Sequence, residues 1–283
     1  MWTYLLRRSF YGVLVLLGVN LFTFMLFFTV NTPDDMARLN IGGKRVTQEQ
    51  IVKWKVERGY DKPLYWNASA PDVHKATDTV FWDRSVSLLA LDFGRSDAKS
   101  ATDIGHEIKT RMAVSLQLAV PLFLLQILFS VSFALLLVFF KNSAIDFWGV
   151  VTCVLMLSIS SLFYIIVGQF LFSRVFHLVP ISGFETGLDA VRFLILPVLL
   201  SLLSRLGTEG RLYRAMFLEE LGRDYVRTAR AKGLSEPAVV LKHALRNALT
   251  PVITLGALEL GTLLSGAVLT EQVFTIPGFG KLI

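Results

Sequence analysis

The sequence predicts an all-α membrane protein, a polytopic helical bundle. Its apolar residues are abundant and come in blocks, its charged residues are scarce, and its basic residues fall mostly between the blocks. Of 283 residues, 53% are hydrophobic and 18% charged, with a formal net charge of +6. A soluble domain carries about a quarter charged residues. The positive charge is not gathered on one soluble face, as nucleic-acid binding would require. It lies in the connections between apolar blocks, where retention on the inner side of a membrane explains it.

A crossing helix needs about 20 apolar residues to pass a hydrocarbon core of roughly 30 Å. Five blocks meet or approach that length. Residues 9–30 form the first, with Asn20 as its one strongly polar member and Arg7 and Arg8 just ahead of it. The bulky stretch 24–29 offers no small-residue cleavage site, so this block stays as an anchor. Residues 113–140 form the second, softened by Gln117, Pro121 and Gln126, and residues 147–173 the third. A fourth begins at Val191, reaches Leu206 and runs a turn or two further; a fifth covers residues 251 to about 270. Gln117, Gln126, Gln169 and Glu259 are expected to face protein or a water-filled path rather than lipid.

Lys and Arg in the short connections set the orientation. With the N-terminus inside, the inner segments 1–8, 141–146 and 205–250 hold twelve basic residues against six acids. The short outer segment 174–190 holds one base, Arg174, and two acids, Glu185 and Asp189. Residues 1–30 are then a cytoplasmic end and first helix, and 31–112 an extracytoplasmic segment. Residues 113–283 form a transmembrane core with a cytoplasmic loop at about 207–250. The extracytoplasmic segment has a helix-like stretch at 47–58, opened by the pair Thr47 and Gln50 three residues apart, a capping-box spacing. Gly42-Gly43, Lys62-Pro63 and Ala70-Pro71 mark loops. Asn67-Ala68-Ser69 fits a glycosylation sequon, a pattern frequent by chance.

Residues 211–250 read as helix, break, helix. Leu221, Tyr225, Val226 and Ala229 have helical spacing. Gly233 is placed to end that helix in the left-handed conformation, with Lys232 in its last turn. Ser235 is placed to cap a second short helix, with Glu236 and Pro237 in its first turn, where a missing N–H costs nothing. Val239, Val240, His243 and Ala244 form its less polar side. Two short helices at a fixed angle would make a compact knob on the inner face.

These residues resemble the cytoplasmic signature loop of ABC importer permeases, in the form of the dipeptide and oligopeptide branch. The matching pieces are Gly222-x-Asp224-Tyr225-x-Arg227-Thr228-Ala229-x-Ala231-Lys232-Gly233-Leu234-Ser235 and His243-Ala244-Leu245-Arg246-Asn247-Ala248-Leu249-x-Pro251. Against the general importer signature, Gly233 keeps its place while Arg227, Thr228 and Arg246 stand for Glu, Ala and Pro, as in the peptide branch. The resemblance extends along most of the chain, through Tyr4-Leu5-Leu6-Arg7-Arg8, Gly59-Tyr60-Asp61-Lys62-Pro63-Leu64, Leu91-Asp92-Phe93-Gly94-Arg95-Ser96 and Glu271-x-Val273-Phe274-x-x-Pro277-Gly278-x-Gly280. It implies a bundle of the type I ABC importer permease kind in a bacterial cytoplasmic membrane. The family pattern continues into a sixth span, missing from the C-terminus of this sequence.

The resemblance further implies a second permease subunit, two ATPase subunits or domains and an extracytoplasmic solute-binding protein. In the family the knob docks into a groove on the ATPase; Arg227, Arg230 and Lys232 would lie on that contact surface. No Gly-x-x-x-x-Gly-Lys-Ser/Thr loop occurs in the sequence, so ATP and Mg belong to the partner ATPases, and no cofactor is expected on this chain. Peptides are the implied substrate; nickel chelates, glutathione and oligosaccharides use similar permeases. A self-contained secondary transporter or channel, and a membrane enzyme or assembly factor, are the readings from other classes.

Glu259, inside the fifth block, could line the path and meet a substrate amine, or pair with Arg205; a structural or tuning role is favoured. Gly256, Gly261 and Gly266 on the same span, with Ala257, Ser265 and Ala267, point to close helix packing, a pore-facing surface being the alternative. His74, His106, His177 and His243 are scattered without metal-ligand spacing. The single cysteine, Cys153, cannot form an internal disulfide. No Ser-His-Asp, Cys-His or paired-carboxylate arrangement stands out.

Overall fold

The computed structural model describes residues 2–42, 46–72, 74–97, 102–185, 187–266 and 268–282, with backbone alone for 188 and 262–266. The described residues are helical, apart from turns and one isolated bridge between Arg95 and Asp103. The chain divides into two compact units, Met1–Lys109 and Thr110–Ile283.

In the first unit, α1 (Trp2–Val30) leaves most of its surface exposed, as a lipid-facing helix does, but buries Phe24 and Phe28. Asn20, the polar residue of the first block, is satisfied by Ser85: its Nδ2 donates to the Ser85 carbonyl at 3.1 Å and its Oδ1 accepts from Ser85 Oγ at 2.5 Å. One face of the last third of α1, through Asn20, Phe24 and Phe28, is thus covered by protein, while the rest of its surface stays exposed. Thr32 and Asp35 form a capping box that starts α2 (Pro33–Ile41). The expected box at Thr47 starts α3 (Gln48–Arg58), with Gln50 Oε1 accepting the Thr47 N–H at 3.0 Å. Phe24, Phe28, Ala37, Ile51, Trp54, Tyr60 and Val80 make the core of this unit, with Trp54 and Tyr60 stacked 2° from parallel. Around it, Asp97 accepts from Tyr60 Oη at 2.6 Å and pairs with Arg84 and Arg58, while Lys62 joins Asp78 and Asp83 at 2.9 and 2.7 Å. Lys62 holds the Asp78 carboxyl below the usual carboxylate range.

The second unit is built on α4 (Ile104–Phe139), α5 (Ala144–Ser158), α6 (Ser161–Gly168) and α7 (Ala190–Leu221). Then come α8 (Asp224–Ala231), α9 (Glu236–Ala238), α10 (Leu245–Gly266) and α11 (Val268–Val273). Among the described residues, α1, α4 and α7 are long and apolar enough to cross a membrane. The third expected span differs from the sequence reading. It is not one straight helix but two, α5 and then α6 with its π turn, bent by 92°. Serines explain the break: Ser160 Oγ accepts the Phe163 N–H at 3.3 Å and caps a new helix, which a continuous span would forbid. The fifth expected span lies on α10 and α11; of its predicted packing residues Gly266, Ser265 and Ala267 lie outside the residues whose side chains are described.

Helix α7 is the centre of this unit, with 44% of its most apolar stretch buried against 28% for α4. It packs on α5 and α6 through glycines. A Cβ at Gly207 would sit 2.7 Å from Met156 Cβ and 2.8 Å from the Cys153 carbonyl, and one at Gly210 2.9 Å from Phe133. The sequence points to close packing on the fifth span as well, with a pore-facing surface as the alternative. Gly256 packs against Ile127, whereas a Cβ built on Gly261 meets nothing within 4 Å among the described residues. The difference between these glycines is which face of the helix they occupy, and the sequence shows spacing, not facing. Gly207→Val or Gly210→Val is expected to lower stability by about 1–3 kcal/mol through overpacking. Gly18→Ala on exposed α1, where a methyl group meets nothing, should not lower stability; thermal unfolding in detergent micelles reads the contrast.

Candidate functional site

The loop singled out in the sequence begins where α7 ends. Gly222 closes α7, its N–H reaching the Glu219 carbonyl and the Arg223 N–H the Glu220 carbonyl, both at 3.1 Å. Arg223 is extended at the N-cap of α8, and Asp224 places a negative charge in the first turn, where the helix dipole favours it. Along α8 only Val226 and Ala229 are buried; Asp224, Arg227, Thr228 and Arg230 face outward. Arg227 pairs with Asp224 at 3.6 Å, both strongly exposed. Burial, then a 2.5 Å hydrogen bond to the Glu220 carboxylate, push the Tyr225 phenol above its ordinary value.

The turn after α8 is the predicted left-handed break. Gly233 has φ +78°. Its N–H donates to the Arg230 carbonyl at 2.9 Å, and the Leu234 N–H reaches back to the Ala229 carbonyl at 3.4 Å. Those two bonds, three and five residues long, form a Schellman motif around a left-handed residue. Nothing lies within 4 Å of a Cβ built on Gly233, so conformation alone, and not space, demands glycine there.

Ser235 stands at the N-cap of α9 in extended conformation, as expected, but its side chain makes no capping bond. Arg230 ties the turn instead, its Nε and Nη2 donating to the two Glu236 carboxylate oxygens at 2.7 and 3.2 Å. Of the three basic residues expected on a contact surface, Arg230 is therefore already engaged within the loop. Ala231, Lys232, Gly233, Leu234 and Ser235 are all exposed and form the outermost part of the turn.

A second correction concerns the helix after the turn. It is not short: α9 passes through a π-helical stretch, Val239–Ala244, directly into α10. The sequence from Glu236 to Pro251 contains no glycine to stop it. Pro251 lies inside α10 rather than at its start. The turn thus joins α8, set off from α7 by the break at Gly222–Arg223, to a helix that continues into α10.

Beneath the exposed turn lies a continuous apolar seam. Val226 and Ala229 of α8, with Val239, Val240 and Ala244, bury against Tyr213, Phe217 and Leu221 of α7. Ala134 and Val138 of α4 and Ala248 and Val252 of α10 complete it. The sequence reading identified the knob's own apolar side but missed its seat. Tyr213 and Phe217 sit among Arg and Glu residues, and only the α7 spacing of four and four, continued to Leu221, could have marked them.

Glu259 on α10 is half-buried and acts electrostatically on Glu209 of α7, as does Arg205. The motif at 271–280 also gains a physical reading. Glu271 is fully buried; its carboxylate accepts from Ser115 Oγ at 2.6 Å and from the Gly280 N–H at 2.8 Å, while the Phe279 N–H donates to Ser115 Oγ at 2.7 Å. A Cβ on Gly278 would occupy the place of that carboxylate, and one on Gly280 would strike Val268. No group of three or more metal-ligating His, Cys, Asp or Glu side chains occurs among the described residues.

Two family models match the chain. Residues 110–283 match the binding-protein-dependent transport system inner membrane component, and residues 1–83 the N-terminal membrane component of the same systems. The di/tripeptide transport system permease protein DppB of Pseudomonas aeruginosa is 32% identical over 99% of this chain and 86% of that protein. The glutathione transport system permease protein GsiC of Salmonella typhimurium is 31% identical over 100% of this chain and 86% of its own length.

Two outcomes follow from the site. Gly233→Ala should cost about 1–2 kcal/mol, the left-handed penalty for a residue with a Cβ, and Glu271→Ala about 1–3 kcal/mol, because the Ser115 hydroxyl and the Gly280 N–H lose a buried partner. Both are read from unfolding midpoints of the purified protein.

Proposed function

This chain belongs to the family of binding-protein-dependent transport system inner membrane components, and we propose that the turn at Gly233 is where a separate ATPase subunit drives it. It is a multi-pass membrane permease subunit of a binding-protein-dependent ABC importer. The proposed substrate is a short peptide. Relatives named for di/tripeptides and for glutathione, itself a tripeptide, support that reading. The N-terminus lies inside, which puts the turn on the cytoplasmic side with the ATPase, and ATP and Mg on that partner. A second permease subunit completes the path. The segment 31–112 faces outward as a platform for the solute-binding protein.

One observation carries the coupling reading. The exposed residues 230–237 ride on an apolar seam shared by α4, α7 and α10. A push on the turn passes to α10 through the continuous helix that follows it, and to α7 through α8, whose apolar face is packed in the seam across the break at Gly222–Arg223. Closure of an ATPase pair would therefore move the spanning helices as rigid pieces between two global states.

Gly233→Pro is the direct test. Proline cannot take φ +78° and lacks the N–H that closes the turn. With the variant still in the membrane, peptide uptake should fall more than tenfold and the ATPase should no longer co-purify. Uptake at the wild-type rate without any ATPase in the preparation would instead establish a self-contained transporter. Glu259→Gln is expected to leave uptake within a few-fold of wild type; a loss beyond tenfold would make Glu259 part of the path.

A further inference from the structure

One turn from the seam, α4 and α7 are joined by a small buried polar network. Glu209 of α7, 6% exposed, accepts at one carboxylate oxygen from Gln126 Nε2 at 3.0 Å and from Ser130 Oγ at 2.9 Å, both on α4. Gln126 also donates to Ser130 at 3.0 Å. The network is incomplete. Gln126 Oε1 and the Tyr213 hydroxyl are buried and have no hydrogen-bond partner. Buried polar groups are almost always paired, and one that is not calls for an explanation such as stored strain.

Tyr213 lies one helical turn after Glu209 on α7, within reach of its charge. It is also part of the seam under the coupling turn. The same residue thus touches the coupling element and stands beside the carboxylate that links α7 to α4. An orphan donor next to an acceptor now engaged elsewhere is what a two-position arrangement leaves in one of its positions. Packed interfaces switch between discrete arrangements rather than deforming smoothly. Glu259 and Arg205 are the other charged groups acting on Glu209.

We infer that Glu209 is a two-position link between α4 and α7. It accepts from Gln126 and Ser130 in the arrangement seen here, and from Tyr213 when the coupling turn is driven. Glu209 and Tyr213 are positioning residues: they set when α4 follows α7 and touch no substrate. The inference rests on the coupling role proposed above.

Tyr213→Phe separates this role from a structural one. Removing an unpaired buried hydroxyl should leave membrane abundance and the unfolding midpoint unchanged or raised. If Tyr213 supplies the second position, binding-protein-stimulated uptake per ATP hydrolysed should nevertheless fall at least fivefold. Ser130→Ala weakens the first position and should raise ATP hydrolysis without binding protein about threefold. Glu209→Gln can accept in both positions and should retain uptake per ATP within threefold of wild type. Wild-type coupling in both Tyr213→Phe and Ser130→Ala, or equal loss of uptake and hydrolysis in each, would overturn the inference while leaving the coupling role standing. A wild-type complex that holds no ATPase would overturn the coupling role first and this inference with it.

Discussion

The apolar seam under the turn at Gly233 is the contact on which the second unit depends. The coupling role proposed for this exposed loop asks it to be stiff, and little stiffness here comes from its polar groups. The Arg230–Glu236 and Arg227–Asp224 pairs are exposed, and exposed ion pairs contribute about 0–1 kcal/mol each. A single large apolar side chain buried in the seam contributes about 1.5–3 kcal/mol. Tyr213, Phe217, Val226, Val239 and Val240 are each buried there. The Arg230–Glu236 ion pair ties α8 to the start of α9, and the seam packs both against α7.

The first unit solves a different problem with different chemistry. Its helices α2 and α3 are short, nine and eleven residues, below the length at which a helix holds itself in water. Capping boxes start both, and the stacked Trp54–Tyr60 pair and its neighbours supply the core. Asn20 and Ser85 carry the same logic into α1. A polar side chain in an apolar helix needs a partner, and here the partner is the unit's own turn at 82–86 rather than another spanning helix.

Those features show what the sequence could reveal and what it could not. Local backbone signals were legible: Thr47 with Gln50, the left-handed Gly233, and the apolar lengths of α1, α4 and α7 all follow from neighbours a few residues apart. Features that depend on distant packing were not. The bend at 159–160 arises from serines that cap rather than continue a helix, and hydropathy alone reads through them. The absence of a stop between Glu236 and Pro251 lets α9 run into α10, although the capping signal at Ser235 suggested a short helix. The clasp at Glu271 joins residues 156 positions apart, so the motif could be quoted from the sequence without its reason.

Glycine makes the same point within one residue type. Gly233 is fixed by its dihedral angle and has empty space around it, so any residue tolerant of positive φ would fit sterically. Gly207 and Gly210 are fixed by space, because α7 approaches α5 and Phe133 so closely that a methyl group has no room. Gly278 and Gly280 are fixed by a third cause, the volume of a buried carboxylate and of the chain beside it. Gly261 is fixed by none of these within this chain. The two glycines three residues apart on α7 stand beside a glutamate that accepts hydrogen bonds from a glutamine and a serine of α4. Close approach at Gly207 and Gly210 is what brings α7 near enough for that glutamate to be bonded at all. The helix packing and the polar link are then one arrangement, not two.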